Sequence, residues 1–134
     1  MLGLRPSTTG IYSLQPSFKT VPQYANHVTI PKAFKLNGYA TSTLGKIYHG
    51  ALPKGEFDKA GTRAKLPNRF PPKKFVDTPQ NHRLVDWGIW PPEDSDQLDY
   101  HTAEWAVEEL AKKPKDPFFM AVGFFRPHVP LYAS

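Results

Sequence analysis

Apolar positions recur with regular spacing in two parts of this chain, and each time a helical spacing gives way to a strand-like one. In residues 29–39 (TIPKAFKLNGY), Ile30, Ala33, Phe34 and Leu36 fall on one helical stripe. Thr29 is placed to cap that helix, and Pro31 lies in its first turn, where a missing N–H costs nothing. Asn37-Gly38 supplies a left-handed stop. Residues 39–44 (YATSTL) then alternate and are rich in β-branched side chains, which predicts a strand ending at Gly45-Lys46. The second unit begins at DYHTAEWAVEELAKK, residues 99–113. Asp99 is the expected N-cap. Tyr100, Ala103, Ala106, Val107 and Leu110 share one face, and Lys112-Lys113 suits the negative end of the helix dipole. Pro114 and Pro117 stop the helix. FFMAVGFF follows, apolar at both parities, which predicts a strand covered on both faces in a parallel sheet. Two helix-to-strand units define an α/β class, a mainly parallel sheet with flanking helices and long loops.

The remaining segments lack a period. Residues 1–28 carry turn chemistry (RPSTTG, QPSF, VPQY) and read as mostly loop. Residues 50–98 are dense in breakers and contain no repeat, as expected of a functional loop or an insertion. Glu93, Asp94, Asp96 and Asp99 make an acidic cluster, but without the spacing or the glycine of an EF-hand loop. It reads as a solvated run leading into a helix.

Composition narrows the function. At 134 residues, one domain is expected, and 15 prolines with 9 glycines make it loop-rich. The absence of cysteine removes disulfides, zinc-thiolate sites and thiol catalysis from these residues. No run approaches the roughly 20 apolar residues of a membrane span. MLGLRPSTTG has no apolar core of a secretion signal. The net charge of +5 favours anionic partners. The basic residues are scattered in ones and twos, with no long block and no aromatic-interleaved module, so a nucleic-acid partner is not expected.

Candidate chemistry gathers where the two strands end, because sites in such sheets form at the carboxyl ends of strands. The first strand exits into GKIYHG and delivers Lys46 and His49. The second exits into FRPHVP and delivers Arg126 and His128. Each residue alone has an ordinary reading: an exposed lysine after a turn, satisfied loop histidines, and prolines that terminate a strand. Together they form a constellation. An ammonium is a compact charge for a tetrahedral oxyanion, and two imidazoles beside it provide general acid and base. That combination fits transfer or hydrolysis at a sulfuryl or phosphoryl centre. Pro127 and Pro130 restrict the backbone on either side of His128.

The segments GLRPSTTGIY, TIPKAFKLNGYATSTLGKIYHG, DYHTAEWAVEELAKK and DPFFMAVGFFRPHVPLYA together resemble the type I sulfatases of the alkaline-phosphatase-like superfamily, in particular the iduronate-2-sulfatase-like branch. The similarity runs through most of the chain in the same order and is weakest over residues 50–90. It implies a sulfuric ester hydrolase acting on a sulfated small molecule or carbohydrate, with Lys46, His49 and His128 as sulfate-binding residues. His128 is implied to protonate the leaving alcohol, and His49 to help break down the sulfated intermediate. It also implies a formylglycine nucleophile, a calcium ion, and a periplasmic, secreted or lysosomal setting. The nucleophile motif and the calcium ligands have no match in this sequence. The chain therefore reads as a partial catalytic domain over residues 1–134, truncated at both ends and inactive by itself. Two other readings stay open: a phosphodiesterase or phosphonate hydrolase of the same superfamily, and a non-catalytic anion-binding module.

Overall fold

In the computed structural model, residues 1–66, 70–79 and 81–134 are described. The irregular reading at 67–69 and 80 lies outside them. Chain contacts divide the molecule into two compact units. The first comprises Met1–Thr43, Ile47–Ala60 and Pro114–Ala121; the second comprises Leu44–Lys46, Gly61–Lys113 and Val122–Ser134.

The first unit opens with loops, a four-residue helix α1 (Pro6–Thr9) and a 3-10 turn at Phe18–Thr20, so the N-terminal segment is mostly irregular, as its turn chemistry requires. Helix α2 (Ile30–Leu36) follows. Thr29 caps it through the Lys32 amide at 3.4 Å, and Gly38 follows with φ 82°. The expected apolar stripe is only half used. Phe34 stacks on Phe119 with ring centroids 4.4 Å apart, and Phe57 lies 6.3 Å from Phe119, but Ile30 and Leu36 are exposed. Strand β1 (Ala40–Gly45) starts one residue later than its alternation suggested, because Tyr39 packs edge-on against Phe34 instead. Thr41, Thr43 and Leu44 of β1 are buried.

β1 is the middle strand of three. It pairs in parallel with β2 (Lys59–Ala60), Ser42 opposite Lys59, and on its other side with β4 (Phe118–Gly123). The Ala40 amide donates to Pro117 O at 2.9 Å, and six residues on in both chains the Lys46 amide donates to Gly123 O at 2.7 Å. That constant offset makes β1 and β4 parallel. Lys35 and the Thr41 amide and hydroxyl hold Asp58 at the strand edge, and these contacts, the lysine foremost, lower its carboxyl to about 2. The expectation that β4 is covered on both faces is not met: Phe118 is exposed and its other residues are half-buried. A parallel strand needs a helix on each face, and these residues do not provide both.

The second unit contains β3 (Trp87–Ile89) paired in parallel with β5 (Leu131–Ala133), a 3-10 turn at Asp94–Asp96, and helix α3 (Leu98–Ala111). The β3–β5 pair was not expected, because three-residue strands amid prolines leave no alternation to read. Helix α3 turns a different face inward from the one its aliphatic residues suggested. Thr102 is buried, while Tyr100, Val107 and Leu110 are exposed. Trp105 lies against Gly61, where an added Cβ would meet its indole at 2.8 Å. No helix among the described residues is long and apolar enough to cross a membrane.

Candidate functional site at the strand ends

The carboxyl ends of β1 and β4 lie side by side because both end in glycine. Gly45 has φ 92°, and a Cβ there would lie 2.0 Å from Gly123 O. A Cβ on Gly123 would lie 2.3 Å from Lys46 O. No side chain fits at either position, so the two backbones approach closely just where Lys46 leaves one strand and the Phe124–His128 corner leaves the other. Thr102 of α3 closes the same place, 3.2 Å from the Gly45 Cβ position, its hydroxyl returned to Leu98 O at 2.9 Å.

Asp99 controls the corner, and its role differs from the one expected of it. Gln97 occupies the N-cap of α3, without a side-chain cap bond, and Asp99 sits inside the first turn. Its carboxylate reaches across to two consecutive amides, Oδ1 to Phe125 N at 2.7 Å and Oδ2 to Arg126 N at 2.8 Å. These are charge-assisted bonds, and together they fix the peptide planes leading into the proline corner. The Arg126 guanidinium then donates to the carbonyls of His128, at 3.1 Å, and of Pro130. The His128 ring stacks on Phe125 with centroids 4.8 Å apart, and its Nδ1 lies 2.7 Å from Val129 O. That contact makes Nδ1 the protonated donor and leaves Nε2 as the nitrogen presented to solvent. His128 is exposed. An exposed imidazole on an immobilised corner can meet a ligand without reorganising.

Pro130 and Leu131 connect the corner to β5, where Tyr132 is 4% exposed and donates to Asp86. Burial and the neighbouring Asp86 charge push the Tyr132 hydroxyl up to about 12. Behind the corner, Phe70, Gln97, Phe125 and Pro130 surround a cavity of about 30 Å³, room for a water molecule but not a ligand.

His49 belongs to the first unit, on the loop that follows Lys46. It lines a cavity of about 380 Å³ with Leu2, Leu14, Phe18 and Tyr48. Its neighbour Tyr48 anchors that loop by donating to Glu56 at 3.1 Å. Glu56 is 1% exposed and also accepts from Thr29 and pairs with Lys19 at 3.0 Å. Burial alone would raise the Glu56 carboxyl, but the bonds from Thr29, Lys19 and Tyr48 outweigh it and hold the group below its ordinary value. Burial, reinforced by the Glu56 charge, pushes Tyr48 up to about 12.

The fold therefore sets Lys46 and His128 at the ends of adjacent parallel strands, with His49 three residues beyond Lys46. Sequence reasoning read Asp99 only as a helix cap and missed Glu56 and the Gly45–Gly123 contact. Only the glycines carried a signal, Gly45 at the end of an alternating run and Gly123 interrupting an apolar one. Among the described residues no cluster of three or more His, Asp or Glu side chains could hold a metal ion.

A parallel α/β sheet here carries a lysine and a proline-bounded histidine just beyond the carboxyl ends of neighbouring strands. The sulfatase family profile matches residues 1–134, and the chain belongs to that family. It is 41% identical to a sulfatase of Formosa agariphila over 98% of its own length and 29% of that protein's. It is 27% identical to human iduronate 2-sulfatase and 30% identical to the mouse protein, in each case over 97% of its own length. The chain spans roughly a quarter to three-tenths of the length of these relatives.

Proposed function

We propose that these residues form the sulfate-holding part of a sulfuric ester hydrolase acting on a sulfated small molecule or carbohydrate. The observation that supports this most is the immobilised corner at the end of β4. An acid that must give its proton to one leaving oxygen benefits from a fixed position, and the Asp99 and Arg126 contacts fix the backbone on both sides of His128. In this reading the Lys46 ammonium binds sulfate oxygens and offsets the charge that develops on them. His128 donates a proton to the ester oxygen as the S–O bond breaks, so the alcohol leaves neutral. His49 then acts as base on the opposite part of the cycle.

The nucleophilic oxygen, a hydrated formylglycine by family resemblance, is expected from outside these residues, which contain no Cys/Ser-x-Pro-x-Arg motif. The same holds for calcium. Its ligands are hard oxygen donors gathered in one place, and the described residues offer no such group. The 134 residues alone are accordingly expected to lack turnover. The test is steady-state kinetics on an aryl sulfate, using a sulfatase polypeptide that carries this segment together with the nucleophile. His128→Ala should lower kcat by about 10²–10⁴-fold with the melting temperature preserved. An unchanged kcat removes His128 from the role of acid. Faster turnover of an aryl phosphate diester than of the sulfate would move the assignment to phosphodiester hydrolysis.

A further inference from the structure

A second group of cations, unconnected by sequence with the strand ends, lines a cleft in the second unit. Lys73, Lys74, Asn81 and Arg83 surround about 590 Å³ together with Phe75 and Asp77. Three positive side chains face one carboxylate there. The partners of Lys74 are neutral, Thr78 Oγ1 at 3.1 Å and His82 O at 3.2 Å, so its charge is oriented without being cancelled. The Arg83 guanidinium carbon lies over the Phe70 ring, 3.9 Å from its centroid, a cation–π contact that favours this position of the side chain.

The wall of the cleft is built rather than incidental. Asp86, 2% exposed, accepts from the Phe75 amide at 3.1 Å, from the Val76 amide at 2.9 Å and from the Tyr132 hydroxyl. Burying a carboxylate is costly unless it is satisfied in this way, and here it fixes the backbone that carries the cleft. The Phe75 ring packs edge-on against Tyr132 at 5.9 Å and so closely on Gly88 that a Cβ there would lie 2.7 Å away. It nevertheless remains 51% exposed. Asn81 takes φ 44° in a turn closed by its amide on Thr78 O at 2.8 Å. Asparagine is one of the few side chains that take this region readily, which suits it to the turn.

A fixed, half-exposed aromatic ring beside three cations, two of them held by neighbours, and an amide matches one ligand chemistry. The ring covers the apolar face of a pyranose, the cations take its anionic substituents, and Asn81 meets its hydroxyls. We propose that this cleft binds an anionic sugar unit, one bearing sulfate or carboxylate groups, of a substrate chain. A nucleic acid fits less well. It requires a cationic stripe with successive aromatic platforms, whereas this site is compact and offers a single exposed ring. The choice of a sulfated over a carboxylated sugar rests on the proposed function above; the cleft itself does not.

The test is an NMR titration of the ¹⁵N-labelled chain with a sulfated heparin-type hexasaccharide, an unsulfated hyaluronan-type hexasaccharide, and a single-stranded oligonucleotide of equal charge. Amides of residues 73–77 and 81–83 should shift with the sulfated sugar. Lys73→Gln combined with Arg83→Gln should weaken that binding by about tenfold or more. The control Lys112→Gln with Lys113→Gln should not. Binding of the carboxylated sugar alone upholds the cleft while counting against a sulfated substrate. Equal loss in both double variants, equal affinity for the oligonucleotide at these amides, or no shift in the cleft would overturn the proposal.

Discussion

The loops that carry His49 and His128 are immobilised by opposite strategies. The loop of His49 is held through a side chain: Tyr48 reaches a buried carboxylate, Glu56, which Thr29 and Lys19 also satisfy. The corner of His128 is held through its backbone: Asp99 takes two amides, and Arg126 takes two carbonyls. A side-chain tether depends on a single buried charge and is fragile if that charge goes. A backbone clamp spreads the restraint over several bonds, each exposed enough to be replaced in part by water. The first arrangement concentrates stability, and the second concentrates precision.

Removing the buried charge should therefore have the larger effect on folding. Glu56→Ala leaves the Lys19 ammonium and two hydroxyls without their acceptor, and a loss of about 3 kcal/mol is expected in denaturant unfolding. The pH dependence sharpens the same point. The Glu56 carboxyl lies below its ordinary value of 4.5 in the folded state, so its contribution is present above that value and fades as pH falls through the lowered one. Glu56→Gln should flatten this part of the acid limb; an unaltered acid limb would mean that the network does not stabilise the first unit. Asp99→Ala should cost less, about 2 kcal/mol, because Phe125 N and Arg126 N lose charge-assisted partners that water replaces in part. Its signature is local: the Phe125 and Arg126 amides should exchange faster and the ring-current shift of His128 should collapse. Asp99→Asn, which keeps one carbonyl acceptor, should recover part of both. A uniform change across the second unit would assign Asp99 to general stability and break the contrast.

Much of the framework was legible because it depends on local chemistry. Thr29, Pro31 and Asn37-Gly38 bound a helix wherever they occur in that order, and β-branched alternation up to Gly45 marks a strand. The positions of Lys46 and His128 beyond strand ends follow from the same signals. What could not be read depends on partners distant in sequence. Asp99 looks like a cap because a helix start is visible locally, whereas its bonds to residues 26 and 27 positions away are not. Glu56 stands in a proline- and glycine-rich stretch with no period, and only burial distinguishes it from a surface acid. The aliphatic face of α3 misled for a physical reason: Thr102 and Trp105 meet Gly45 and Gly61, whose bare backbone accepts a methyl group and an indole there.

The central claim is that the side chains of Lys46 and His128 meet one tetrahedral anion at the end of the sheet. Its most direct test is titration of the chain with inorganic sulfate, following the Lys46 side-chain ammonium and the His128 ring protons by NMR. Both signals should move along one saturation curve with a common midpoint, and Lys46→Ala should abolish the response at His128. Separate midpoints, or a His128 response that survives loss of Lys46, would contradict the shared site.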